Sequence, residues 1–199
     1  QFNWFDTYWI YWLTLISTVS FSFFYIWELE TKKPIVDVRV FKDRNFLVGT
    51  VVSSFINIML YGTLLLIPLF VQNILAYPPF FAGVAVFPRA ISCFLGLLIM
   101  GKVADKVENR LLAIIGLIIM ACSVFMFSRL NNTSSLESII LPNVILGIGI
   151  ATTFVPISAL AFITLSKTKL ADAAGLHALF KNIVTAISTS GVSTFVTRV

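Results

Sequence analysis

Long apolar runs separated by short polar clusters dominate the chain. A membrane-spanning helix needs about 20 mostly apolar residues, because each adds ~1.5 Å across a hydrocarbon core of ~30 Å. That length predicts six helices, over 8–27, 46–71, 80–101, 111–127, 139–165 and from 173 onward. Trp4, Trp9, Trp12 and Trp27 gather toward the ends of the first run, where interfacial anchors sit.

The polar clusters test this division. With 28–45 placed inside, the inside segments carry Lys32, Lys33, Arg39, Lys42 and Arg44, then Lys102, Lys106 and Arg110, then Lys167 and Lys169. The outside segments 1–7, 72–79 and 128–138 hold only Arg129, and Arg198 lies at the far end. Such alternation follows the excess of basic residues in cytoplasmic loops, and a missed or invented helix would scramble it. Within the first inside segment, 34–41 interleaves apolar and charged residues. A strand there has no neighbour to pair with, so a short interfacial stretch with its apolar side on the bilayer is expected.

Composition agrees. Only 12% of the 199 residues are charged and 58% are hydrophobic, with a mean hydropathy of +0.96. Soluble domains carry about 25% charge, so lipid is the solvent for much of this surface. The net charge of +5 is spread over loops rather than one face, which argues against nucleic acid. Cys93 and Cys122 lie in apolar runs, where they act as small hydrophobes. The chain opens on Gln1 with no basic n-region or cleavage site, so the first run is not a signal peptide and a piece of a longer protein is expected.

No catalytic or metal-binding constellation is visible: His177 is the single histidine, and P-loop, Gly-x-Ser-x-Gly and His-Glu-x-x-His patterns are absent. An enzyme is not expected. Candidate chemistry lies instead in polar groups at membrane depth. Arg89 stands nine residues after Phe80, roughly 13 Å down its helix. A centrally placed Arg costs about 2.5–3.5 kcal/mol on insertion scales. It must face a wet path or a partner: it lines a transport path and pairs with an anion, or it hydrogen-bonds a neighbouring helix. Lys181 lies roughly 12 Å in from the inner end of the last helix, where it lines the path or snorkels back to water. Asn57, Tyr61 one turn on, and Asn143 either line a cavity or glue helices together. Pro68, Pro88, Pro142 and Pro156 kink spans, and Thr152, four residues before Pro156, is placed to satisfy the freed carbonyl.

The loop Gly101-Lys102-Val103-Ala104-Asp105-Lys106-Val107-Glu108-Asn109-Arg110 resembles the G-x-L-A-D-R-x-G-x-R signature of the major facilitator superfamily, departing at Val103, Lys106 and Glu108. Gly101 would permit a tight helix exit, and Asp105 with Lys106 and Arg110 would form a conformational latch through charge-assisted bonds. Trp27-Glu28-Leu29, Pro34-Ile35-Val36-Asp37 and Phe41-Lys42-Asp43-Arg44-Asn45-Phe46 are similar to the linker of fourteen-helix drug:proton antiporters of the EmrB/QacA type. So are the spacing of Pro68, Gln72, Ala82-Gly83, Pro88-Arg89, Pro142, Gly147, Gly149 and Pro156, and the Leu170–Leu176 segment.

The resemblance implies an all-α membrane protein, a partial facilitator-superfamily bundle of about six transmembrane helices. Residues 1–27 would be a linker helix, 28–45 a cytoplasmic interfacial linker and 46–199 an incomplete C-terminal transmembrane domain of five helices. It implies part of a multidrug exporter in a bacterial inner membrane, exchanging protons for amphipathic drugs, with the proton gradient as energy source and no cofactor. In a Gram-negative cell it also implies a periplasmic adaptor and an outer-membrane channel. A facilitator for a siderophore or metabolite, and a non-transporting receptor or scaffold on the same fold, remain alternatives.

Overall fold

A computed structural model describes residues 8–30, 38–104, 106–166 and 169–198. Six long helices follow one another: α1 (Tyr8–Glu30), α2 (Arg44–Leu69), α3 (Pro79–Val103), α4 (Asn109–Phe127), α5 (Leu136–Phe162) and α6 (Leu170–Arg198). Among the described residues, four stretches are long and apolar enough to cross a membrane: Arg44–Ile74, Pro79–Val103, Asn109–Phe127 and Leu136–Phe162. Helices α1 and α6 have the length, at 23 and 29 residues. Helix α1 is as apolar as α3, whereas Lys181, His177 and a Ser/Thr-rich second half dilute α6.

Helix α5 is the centre of the bundle, with α3 and α4 packed along it. Small residues make the approach possible. A methyl built on Gly147 would meet the Ser92 hydroxyl, the Arg89 carbonyl oxygen at 2.5 Å and the Cys93 nitrogen at 3.0 Å. Two residues on, about half a turn, a methyl on Gly149 would come within 2.7 Å of the Met120 side chain and 3.0 Å of its nitrogen. Backbones this close gain dispersion contacts that larger side chains would prevent, which is the usual basis of helix association in lipid. Ser123 adds a bond across the α4–α5 seam, donating to the Pro142 carbonyl at 2.7 Å. The core beside these seams holds Ile56, Ala113, Met120, Leu146, Ile150 and Ile157. Facing outward, Phe55, Phe87, Phe94, Ile118 and Phe125 are exposed, as a lipid-bathed surface requires.

Helix α2 continues past Leu69 into a π turn, Phe70–Ile74. Asp43 caps its other end, accepting from the backbone N–H groups of Asn45 at 2.9 Å and Phe46 at 3.1 Å. Just before it, Val38–Lys42 forms a 3₁₀ turn. The interfacial stretch expected here turns its apolar residues elsewhere. Val40 is buried against Phe46, Ala173 and Leu176, and the Phe41 ring lies 5.9 Å from that of Phe180. Protein rather than lipid receives the described apolar side chains, because the inner ends of α2 and α6 leave a gap that a β-branched residue fills. Residues 34–37 lie outside the described residues. A second correction concerns Pro156. The Thr152 hydroxyl donates to the Ile148 carbonyl at 2.8 Å, one turn before the carbonyl that the proline frees, since a threonine on a helix reaches back toward i−4.

Candidate functional site

Arg89 is the eleventh residue of α3, about 15 Å from the start of the helix. It is 6% exposed. Its Nη1 donates to the Thr63 hydroxyl oxygen on α2 at 2.9 Å. Thr63 is itself oriented, because its hydroxyl lies 2.7 Å from the Met59 carbonyl and 3.1 Å from that of Leu60. Its proton is committed to its own helix and a lone pair is left for the guanidinium. Among the described residues this is the one hydrogen bond that the Arg89 guanidinium makes, and no described carboxylate lies within ion-pair distance of it. The described acidic residues (Glu28, Glu30, Asp43, Glu108, Glu137 and Asp172) sit at helix ends or in loops. A charge at mid-depth with one neutral acceptor is an unusual investment in a bundle, since ionised groups there are normally paired.

The other membrane-depth candidates are placed as follows. Asn57 is buried and its amide donates to Ser53 O of its own helix at 2.7 Å; Tyr61, one turn on, is half-buried. Asn143 is fully buried, its amide donates to Ile139 O at 3.0 Å, and its Oδ1 has no partner. Lys181 is half-buried, with Nζ 5.6 Å from the centre of the Phe154 ring on α5, a cation–π contact across α6 and α5. The structure joins Arg89 to α2 and Lys181 to α5, and hydrogen-bonds none of these five candidates to another.

In the inner loop, α3 runs on through Gly101 to Val103, and a methyl on Gly101 would meet nothing within 4 Å. The helix exit therefore comes at Ala104, whose N–H still bonds Met100 O, and needs no glycine. Lys106 and Arg110 are exposed. The turn is tight, with the N–H groups of Lys106 and Val107 both bonded to Val103 O. Asp105, the centre of the expected latch, lies outside the described residues. Arg110 borders a cavity of about 780 Å³ between the inner ends of α2, α4 and α5, together with Arg44 and Asn109.

Two residues acquire partners that spacing alone does not reveal. Thr63 is the first. The second is His177, whose Nδ1 stands 3.1 Å from the Thr50 hydroxyl on α2. Its ring is edge-on to Phe162 and Phe46 at 5.7 and 6.4 Å. Thr50 and His177 are 127 positions apart, so only the packing of α6 against α2 brings them together.

Comparison with known proteins extends over the whole chain. It is 32% identical over 195 residues to the fatty acid resistance protein FarB of Neisseria gonorrhoeae, covering 98% of the chain and 38% of that protein. It is 29% identical to the probable multidrug resistance protein EmrY of Escherichia coli, covering 94% and 37%. It is 28% identical to the multidrug export protein EmrB of the same species, covering 100% and 39%. The chain thus spans less than two fifths of the length of these relatives. The family model of the Major Facilitator Superfamily matches residues 2–189, and the chain, a multi-pass helical membrane protein, belongs to that superfamily of transporters.

Proposed function

We propose that this chain is part of a secondary multidrug exporter in a bacterial inner membrane, expelling amphipathic drugs in exchange for protons. The observation that carries the proposal is similarity along 94–100% of the chain to proteins named for drug export or resistance. The buried cation at mid-depth in α3 supports it, since intramembrane charge marks substrate and ion pathways. In this reading α1 is a linker helix, 28–45 an inner linker, and 46–199 five helices of the C-terminal half, which rocks against the other half around a central site. Arg89, Asn57, Tyr61, Asn143 and Lys181 line the path, and Gly101, Asp105, Lys106 and Arg110 latch one conformation. The proton gradient supplies the energy without a cofactor, and in a Gram-negative cell an adaptor and an outer-membrane channel complete the route.

The test is expression of the full-length protein in a bacterial host stripped of its own drug pumps. Expected is resistance to several amphipathic drugs, with ethidium efflux that stops when an uncoupler collapses the proton gradient. Normal membrane abundance without resistance to any drug would overturn the proposal in favour of a metabolite carrier or a receptor. Efflux that persists under the uncoupler would overturn the proton coupling.

A further inference from the structure

We propose that Arg89 is the receptor for an anionic head group, a carboxylate above all, on an amphipathic substrate. The inference rests on the export reading and adds to it the chemistry of the substrate's polar end.

The charges inside the bundle point one way. Within the spans and away from their ends, the described ionisable cations are Arg89 and Lys181, and no described Asp or Glu lies beside them. Lys181 meets the face of Phe154, and Arg89 meets the oxygen of Thr63. Ser92, the next polar side chain along α3, spends its proton on the Arg89 carbonyl at 3.0 Å. The interior of this half is therefore positive. It repels a cationic head group and attracts an anionic one, and low dielectric strengthens both effects.

Geometry selects among anions. A guanidinium presents five N–H donors in a planar fork. One bond to a neutral hydroxyl leaves donors for a second acceptor, and two parallel oxygens fit the fork bidentately. Binding also has a consequence for the helices. Arg89–Thr63 is the one side-chain hydrogen bond between α2 and α3 among the described residues, and these two helices pack loosely beside the close α3–α5 seam. An anion that draws Arg89 from Thr63 unfastens α2 from α3, so head-group recognition and helix movement share one bond.

The experiment compares two ligands with the same tail and opposite heads, dodecanoate and dodecyltrimethylammonium, on the full-length protein in lipid nanodiscs by titration calorimetry. Arg89→Gln is expected to weaken dodecanoate binding about tenfold or more, as loss of a charge-assisted pair would. It should leave the cationic ligand unchanged within about twofold. Thr63→Val, which frees the fork, should keep dodecanoate binding or tighten it. Equal weakening of both ligands by Arg89→Gln, or of neither, overturns the proposal, as does a wild-type protein that does not bind dodecanoate. If Arg89→Gln does not accumulate, Arg89→Lys decides: a point charge should bind dodecanoate more weakly than the fork, and unchanged affinity overturns the fork. Drug uptake by inverted vesicles separates this inference from the export reading. Vesicles that export nothing while Arg89→Gln still loses dodecanoate sink the export reading alone. Vesicles that export both ligands equally with either residue sink the head-group inference alone.

Discussion

Helices α5 and α2 are both packed against several neighbours, but different chemistry holds each. Along α5 the seams with α3 and α4 are made of Gly, Ala and Ser, backbone nearly on backbone, with Gly147 against Arg89–Cys93 and Gly149 against Met120. Helix α2 adds Ile56, Ile67 and Phe46 to the apolar core, and side-chain hydrogen bonds tie it to its neighbours: Thr63 to Arg89 on α3 and Thr50 to His177 on α6, with Thr164, just beyond the end of α5, beside Asp43 at its inner end. One small-residue contact, Gly49 on Ala161, is the exception. Close-packed seams have a single low-energy arrangement, because dispersion falls steeply with separation. Hydrogen bonds can be exchanged for others of similar strength. The contrast divides this half into a scaffold, α3–α4–α5, and an element that can shift on it, α2.

The largest effect should come from breaking the scaffold. Gly147→Val places a branched side chain against the backbone of α3, which cannot yield, and should cost about 3 kcal/mol or more. The expected result is loss of monodisperse protein in detergent by size-exclusion chromatography. Gly83→Ala sharpens the comparison, since a methyl there meets nothing within 4 Å. In a helix interior it should gain about 0.5–1 kcal/mol. Equal effects of the two substitutions would dissolve the distinction between seam and surface.

A smaller effect should follow from Thr63→Val. It leaves a buried guanidinium without its acceptor, a loss of about 1–3 kcal/mol. The double substitution Thr63→Val, Arg89→Met should recover much of that, because it removes both the unmet charge and its desolvation. Thermal unfolding of the four variants in one detergent reads the coupling as a double-mutant cycle. Additive losses would mean that the bond does not fasten α2.

What the chain discloses by itself tracks this same division. Runs of apolar residues long enough to cross lipid locate every helix to within a few residues, because length and hydropathy are local properties. The depth of Arg89 follows from counting along α3. Its partner does not, since Thr63 is chosen by how α2 and α3 are rotated against each other. The same holds for His177 and Thr50, and for Val40, whose alternating neighbours suggest a lipid-facing strip while the folded chain seats it under α2 and α6. Polarity at depth is legible; pairing between helices is a property of the assembled bundle. Asp105, the most legible residue of the inner loop, lies outside the described residues.

The smallest effect concerns the inner end of α2. The Thr164 hydroxyl, and after it the Phe46 N–H, holds the Asp43 carboxyl below the usual carboxylate range, against the pull of desolvation. A carboxyl whose folded pKa is depressed adds stability that is fully present above its unfolded value near 3.9. That contribution fades as pH falls through the folded pKa, when protonation removes the charge that strengthens the bonds from Thr164, Phe46 and Asn45. Melting temperatures between pH 7 and 5 should therefore not depend on this group. Below about pH 4 the wild type should lose part of its margin over Asp43→Asn, whose amide oxygen still caps α2 but carries no charge to titrate. The Asn variant should be slightly less stable at pH 7 and converge on the wild type in acid. Curves that stay parallel down to the acid limit would remove Asp43 from the set of exchangeable bonds that hold α2, leaving Thr63 and Thr50 to carry the contrast with α5.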